Sequence, residues 1–208
     1  MAFLSLKNPE ILLLNDGLEL FYGADQEWYG KIWQRRAGCG PTVASMLAWY
    51  LSQTRGECRA LSDEDAASKE GFIGMMDDMW KHVTPGYRGV NATAIFKRGL
   101  SEYAALRNVG VVFSELDIDF KPDKRPDGAA LGNFMVEAME RDRPVAFLNL
   151  HNGEEVNLDR WHWVTLVSYD SQTGQAVMYD QGKESRIDLL LWLRTTRFGG
   201  GLLTADTQ

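Results

Sequence analysis

The hydrophobic pattern of the chain changes about two thirds of the way along its length, and this change limits the possible folds more than any single motif does. In the earlier part, apolar side chains recur at spacings of three and four residues, which predicts helices over residues 42–53, 72–82, 92–108 and 129–142. In the later part, apolar runs of strand length occupy residues 144–150, 161–169 and 175–180. A short strand is also predicted at residues 111–113. Helices and strands segregated in this way predict an α+β fold.

The length of the chain predicts one domain over residues 1–208. A chain of 208 residues is close to the roughly 100–200 residues of a single domain. We expect a helical subdomain over about residues 30–142 and an antiparallel sheet subdomain over about residues 143–195. Residues 1–30 mix short apolar runs with Gly and Asp, which indicates strand and loop, and the glycine run at 199–201 indicates a flexible tail.

The charge balance argues against two classes of partner. The chain has 22 basic and 29 acidic residues, which gives a formal net charge of −7. Binding to nucleic acid requires clustered Lys and Arg to contact the phosphates, and the only tight basic pair is Arg35-Arg36. We therefore expect no nucleic-acid partner. The same balance argues against an anionic membrane surface.

Cysteine and histidine are too few to indicate a structural scaffold. The chain contains two Cys, three His and no CxxC motif, so neither a disulfide framework nor a zinc site is predicted, and we expect no cofactor. The apolar run at residues 11–14 is too short for a membrane span or for a typical signal-peptide core. The expected location is therefore the cytoplasm.

Cys39 is the first candidate for a catalytic role. It lies between two glycines and next to Pro41, at the predicted start of the helix over residues 42–53. Backbone N–H groups at a helix start carry partial positive charge, and a thiol there forms the nucleophilic thiolate more readily. The alternative is a small buried hydrophobic residue, which is the commonest state of a free Cys.

His162 is the second candidate, because it begins the predicted strand over residues 161–169. On a regular strand it shares one face with Val164 and Leu166. A lone histidine in this position is also consistent with a core or edge residue. His151 lies in a predicted loop and is a weaker candidate.

Asp180 is the third candidate, at the end of a strand that is otherwise apolar. A carboxylate there can accept a hydrogen bond from an imidazole and orient the ring. A tight turn at residues 171–174 would set Asp180 opposite Thr165 rather than His162, roughly 10 Å from the histidine. Contact between them therefore requires a β-bulge or a longer turn. Without such contact, Asp180 is an ordinary turn residue before Gly182.

Three segments together resemble a known family: residues 34–42 (QRRAGCGPT), 161–170 (WHWVTLVSYD) and 177–180 (VMYD). They resemble papain-like cysteine peptidases, and most closely the bacteriocin-processing, or double-glycine, peptidase branch and its uncharacterised relatives. The stretch Pro144–Phe147 also looks like the strand that precedes the histidine in that family. The likeness covers about residues 30–185, although only the three segments are specific.

The resemblance implies a fold in which a helix carries the nucleophile at its N-terminus and packs on a C-terminal antiparallel sheet. It also implies the roles of four residues: Cys39 as nucleophile, His162 as proton carrier, Asp180 as the group that orients His162, and Gln34 as an oxyanion-hole donor. Gln34 lies five residues before Cys39, one fewer than is usual in the family. The expected substrate is a peptide or protein.

Two other functions use the same residues. A transglutaminase-type acyl transferase employs the same Cys-His-Asp set but passes the acyl group to an amine instead of water. A papain-like binding or regulatory module would keep the fold with an inert triad. The sequence pattern indicates no particular oligomeric state.

Overall fold

The computed structural model describes residues 3–62 and 64–207, and it has the expected mixed α+β organisation, with helices followed by a C-terminal antiparallel sheet. The α-helices are α1 (Ile32–Ala37), α2 (Cys39–Thr54), α3 (Lys69–Met79), α4 (Thr93–Ala105), α5 (Gly128–Glu140) and α6 (Leu189–Thr195). The strands are β1 (Phe3–Ser5), β2 (Leu13–Asn15), β3 (Leu20–Tyr22), β4 (Val111–Ile118), β5 (Val145–Asn149), β6 (His162–Asp170), β7 (Gln175–Asp180), β8 (Lys183–Asp188) and β9 (Gly200–Thr207).

Helix α2 is the buried centre of the molecule. Pro41 lies in its first turn, where a missing N–H removes no intrahelical hydrogen bond, and every residue from Gly40 to Ser52 is buried. A helix that is apolar on all sides is stable only when other elements surround it. Helix α2 packs against β6 on one side and against α3 and α4 on others. It therefore holds its first residue, Cys39, in a fixed position relative to the sheet.

The main sheet has the strand order β4-β9-β5-β6-β7-β8, and its neighbouring strands are antiparallel. Strand β1 pairs with the end of β6 that β5 leaves free, at Ser168–Asp170. Strand β6 is buried over all but its last residue. Because both faces of β6 are covered, its near-continuous apolar sequence is what such a strand requires.

The expectation of a flexible tail after the glycine run is wrong. Strand β9 lies between β4 and β5 and pairs with both of them. The glycines are needed for close packing: a Cβ at Gly199 would overlap the carbonyl oxygen of Ile118, and a Cβ at Gly200 would overlap that of Leu148. Both residues also have positive φ, at +68° and +151°. Glycine serves here for backbone approach and conformation, not for mobility.

Strand β4 begins where the sequence predicts a short strand, at residues 111–113, and extends to Ile118. It forms one edge of the sheet through its pairing with β9. In the described part of the chain, no helix combines the length and the apolar character that crossing a membrane requires.

Candidate active site

Cys39 is the first residue of α2 and follows a break between two helices. Helix α1 ends at Ala37, and Gly38 joins it to α2 in a helical conformation (φ −84°, ψ −4°). In one continuous helix the N–H of Cys39 would donate to the carbonyl oxygen of Arg35. That oxygen instead accepts a hydrogen bond from the side-chain Nε2 of Gln26 at 2.8 Å. The N–H of Cys39 therefore lies at a helix start, where no acceptor within the helix is available.

The two glycines beside Cys39 make room for neighbouring side chains. A Cβ at Gly38 would come within 2.5 Å of the Tyr29 ring, and a Cβ at Gly40 would come within 2.7 Å of Val90. Their role is close packing around the half-buried cysteine, because neither backbone is in the left-handed region.

His162 lies between Cys39 and Asp180. The Nε2–H of His162 donates to Oδ1 of Asp180 at 2.7 Å. Cys39 lines the same small cavity as the ring, and its interaction with His162 is one of the causes that raise the pKa of the histidine. Three of the four site residues predicted from the sequence thus line one small cavity together.

A shift in strand register brings Asp180 to His162. Strands β6 and β7 pair Ser168 with Val177, but the next pair is Leu166 with Met178, so Val167 is an extra residue on β6. One more step of the shifted register sets Asp180 opposite Val164, on the same face as His162 and diagonal to it. A regular hairpin would have placed Asp180 opposite Thr165, on the other face. The irregularity therefore makes the contact possible.

The surroundings of His162 favour its protonated form. Burial of the ring lowers the pKa of His162, but this effect is outweighed by the hydrogen bond to Asp180 and by the interactions of the ring with Asp180 and Cys39. The pKa rises from the ordinary 6.5 to about 10. At neutral pH the ring is therefore an imidazolium that is hydrogen bonded to the Asp180 carboxylate and shares a cavity with Cys39.

The two tryptophans on either side of His162 donate hydrogen bonds to a hairpin loop, which lies near Cys39. Residues Gly86 and Gly89 hydrogen bond to each other in both directions, at 2.9 and 3.2 Å, which closes a tight loop with Arg88 at its tip. The indole N–H of Trp161 donates to the carbonyl of Arg88 at 2.9 Å. The indole N–H of Trp163 donates to the carbonyl of Val90 at 2.6 Å. The loop is therefore attached to the strand that begins with His162.

Gln34 does not lie with the other three residues. Its side chain is buried, and its Nε2 donates to Oδ1 of Asp77 on α3 at 2.9 Å. It lines a neighbouring cavity between α1 and α3, and not the small cavity of Cys39 and His162. Asp77 takes one of the two amide hydrogens, and the second makes no hydrogen bond within the described part of the chain.

An open groove of about 300 Å³ leads away from Cys39 on its other side. We call it the Cys39 groove and define it by six of its lining residues, Trp33, Arg36, Cys39, Tyr87, Arg88 and Trp161. The rings of Trp33 and Trp161 are exposed, whereas Trp163, Tyr29 and Trp49 are buried in the core. Together with the exposed ring of Tyr87, these two tryptophans are available to a substrate.

Sequence reasoning missed Gln26, Tyr87 and Arg88. The pair Gly86/Gly89 marks a turn, which was visible as a loop signal, but no periodicity connects that loop to Cys39. His151, the weaker histidine candidate, is buried in a structural setting. Its Nδ1 accepts the N–H of Gly153 at 3.0 Å, and burial is the main cause that lowers its pKa.

The site has the groups for nucleophilic chemistry, and no metal site is apparent. Among the described residues, no group of three or more His, Cys, Asp or Glu side chains is arranged to hold a metal ion. No protein-family model and no curated protein matches this sequence.

Proposed function

We propose that the protein is a cysteine peptidase or amidase with a fold of the papain-like type. The observation that carries this proposal is the position of the His162 ring, which is hydrogen bonded to Asp180 through Nε2 and lines one small cavity with Cys39. A nucleophile, a base in contact with it and a third group that orients the base form the arrangement that activates a thiol. The placement of Cys39 at the N-terminus of a buried helix that packs on β6 supports the same proposal.

In the first half-reaction, the thiolate of Cys39 attacks the carbonyl carbon of the scissile amide. A C–S bond forms as the carbonyl π bond opens to an oxyanion. The His162 imidazolium then gives its proton to the amide nitrogen as the C–N bond breaks. The amine leaves, and a thioester joins the acyl group to Cys39. The raised pKa of His162 keeps this proton available at neutral pH.

In the second half-reaction, neutral His162 removes a proton from water as the oxygen attacks the thioester carbon. The C–S bond breaks, the acid product leaves, and the thiolate–imidazolium pair is regenerated. Asp180 holds the ring in place through both steps by accepting from Nε2.

The N–H of Cys39 is the oxyanion donor that we assign first, because the helix break leaves it without an intrahelical acceptor. Gln34 is proposed as the second donor, through the amide hydrogen that Asp77 does not take. In this proposal Asp77 anchors the amide of Gln34.

Labelling with iodoacetamide at about pH 6, and with an electrophilic peptide probe, tests the proposal. We expect rapid modification of Cys39, since a cysteine beside a cationic imidazolium at a helix start is in the kind of environment typical of reactive cysteines. Cys58 is the internal control, because burial raises the pKa of its thiol to about 11. Labelling should persist in Cys58→Ala and disappear in Cys39→Ala. Slow labelling of Cys39, or full turnover of a peptide library by Cys39→Ala, would contradict the proposal.

The same library distinguishes hydrolysis from acyl transfer. With a primary amine added in excess, a hydrolase gives mainly the free acid, and a transglutaminase-type enzyme gives mainly the new amide. Mass spectrometry of the products measures the ratio. We expect the acid to dominate.

A further inference from the structure

We propose that the Cys39 groove selects a substrate segment with a carboxylate close to an apolar or aromatic side chain. This inference rests on the proposed function, since it names the substrate class of the same site. It depends on the charge, the exposed rings and the anchoring of the residues that line the groove.

The charge of the groove is opposite to that of the chain. Arg36 and Arg88 both line it, and both are exposed. Neither guanidinium makes a hydrogen bond or an ion pair with any residue whose side chain the structure describes, in the ranges 3–62 and 66–207. No Asp or Glu from those ranges lines the groove, although the whole chain has a net charge of −7. Two cations without partners in an otherwise acidic protein provide a local site for an anionic group.

The exposed rings supply the apolar part of the same surface. Trp33 is 48% exposed, Trp161 41% and Tyr87 97%. Exposed large aromatic residues beside a cleft are typical of a binding surface. The N–H of Trp161 is already used by the carbonyl of Arg88, so its ring is left for apolar contact. The groove therefore combines guanidinium groups with aromatic faces.

The backbones of both arginines are fixed relative to Cys39. Arg36 lies three residues before Cys39, on the last turn of α1. Arg88 lies in the loop closed by Gly86 and Gly89, and Trp161 binds its carbonyl. A cation whose backbone is held in place loses less conformational entropy on binding than one on a mobile loop. The geometry therefore favours recognition of a carboxylate within a few residues of the scissile bond.

Internally quenched octapeptides test this inference. Each peptide contains one Phe in an Ala background and carries Glu, Gln or Lys at one position, with a free or an amidated C-terminus. We expect the Glu peptides to be cleaved with a lower KM than the matched Gln and Lys peptides. The free-acid and amide versions show whether the preferred carboxylate is a side chain or a chain terminus. Equal KM values across the Glu, Gln and Lys series, or a preference for Lys, would overturn the inference.

Substitutions of the two arginines assign the preference to the groove. Arg36→Gln and Arg88→Gln should each raise KM for the best Glu peptide by about threefold to tenfold, with kcat little changed. Arg88→Glu should shift the preference towards Lys peptides. Arg194→Gln is the matched control, because Arg194 is an exposed helical arginine on α6 that does not line the groove. A Glu preference that survives both Gln substitutions would contradict this assignment.

A binding measurement separates failure of the inference from failure of the proposed function. Fluorescence anisotropy with dye-labelled Glu, Gln and Lys peptides on Cys39→Ala requires no turnover. Tighter binding of the Glu peptide without cleavage by the wild-type protein would reject the peptidase and keep the groove assignment. Cleavage by the wild type with equal binding of the three peptides would keep the peptidase and reject the groove assignment.

Discussion

The proton on His162 determines the chemistry that this site can perform. A buried imidazole is normally neutral, because burial disfavours its charged form. Here Asp180 and Cys39 reverse that tendency and raise the pKa of His162 to about 10. In the proposed mechanism, the protonated ring serves as the acid for the leaving amine over the whole neutral range.

Substituting Asp180 tests this electrostatic account. In Asp180→Asn the side-chain amide oxygen can still accept from Nε2–H, but the negative charge is lost. We expect the pKa of His162 to fall well below 10, because burial is then opposed by Cys39 alone. The alkaline limit of kcat/KM should move to lower pH in parallel. NMR titration of the three histidines measures the shift directly. An unchanged titration of His162 would contradict the assignment.

The same shift predicts how stability depends on pH. The pKa of His162 is raised in the folded state, so the contribution of its charge is fully present below about 6.5 and is lost as pH rises to about 10. The free energy of unfolding, measured with urea, should therefore decrease between about pH 6.5 and about pH 10 in the wild type. Comparison with Asp180→Asn separates this decrease from the contributions of other titratable groups. Asp180→Asn should show a smaller decrease. Equal slopes for the two proteins would count against a charged His162.

Gln34 and Asp77 form a pair whose role can be separated by two substitutions. If the free amide hydrogen of Gln34 serves the oxyanion, Gln34→Ala should lower kcat by about 10²–10³ with a small effect on KM. Asp77→Ala removes the same hydrogen bond but keeps the amide, so its loss of kcat should be smaller. If kcat is the same in Gln34→Ala and Asp77→Ala, the pair has only a structural role. The oxyanion donor is then the N–H of Cys39 alone.

The sequence predicted the positions of the three candidate site residues better than those of the residues around them. Cys39, His162 and Asp180 each lie at the end of a helix or strand with a clear hydrophobic pattern, so their positions were predictable. Gln26 and Arg88 lie in a short 3₁₀ helix and in a loop, and neither segment has a repeating pattern. Their proximity to Cys39 depends on tertiary packing, which local pattern does not encode.

The pairing of β6 with β7 shows why a predicted hairpin is not yet a predicted site. Alternating apolar residues and the turn at 171–174 were enough to predict both strands. They were not enough to predict that Val167 is an extra residue on β6, because both faces of this strand are buried and no alternation of polar residues reports its register. One residue of shift decides whether Asp180 shares a face with His162.

The link between β6 and the hairpin loop is testable through Trp163. Trp163→Phe keeps an aromatic ring to stack on Phe96, whose centroid lies 4.6 Å away, but it removes the hydrogen bond to the carbonyl of Val90. A buried carbonyl without a partner costs about 1–3 kcal/mol, and we expect a loss of stability in that range. Urea unfolding measures it. Trp161→Phe is the matched control at an exposed indole, and we expect it to cost less.

For the molecule as a whole, the segregation of helices and strands was sufficient to predict an α+β fold, and it failed where glycine was read as flexibility. Helix α2 and strands β5 to β7 have long apolar patterns, so their types were predictable. Strand β9 begins with Gly200 and Gly201, and a glycine run has the same composition in a mobile tail as in a tightly packed strand. Only its neighbours, β4 and β5, distinguish the two.

Truncation at the C-terminus tests the structural role of this strand. Removal of residues 199–208 would delete β9 from the interior of the sheet and leave β4 and β5 without their shared partner. Leu202 and Leu203, both fully buried, would also be lost from the core. Full burial of one such side chain contributes about 1.5–3 kcal/mol, and a domain of this kind is stable by only about 5–15 kcal/mol. We therefore expect the truncated chain to lose cooperative unfolding.

Deletion of Gln208 alone, beyond the end of β9, is the control and should leave circular dichroism and the unfolding midpoint unchanged. A truncated protein with a wild-type midpoint would mean that residues 199–207 are a tail after all.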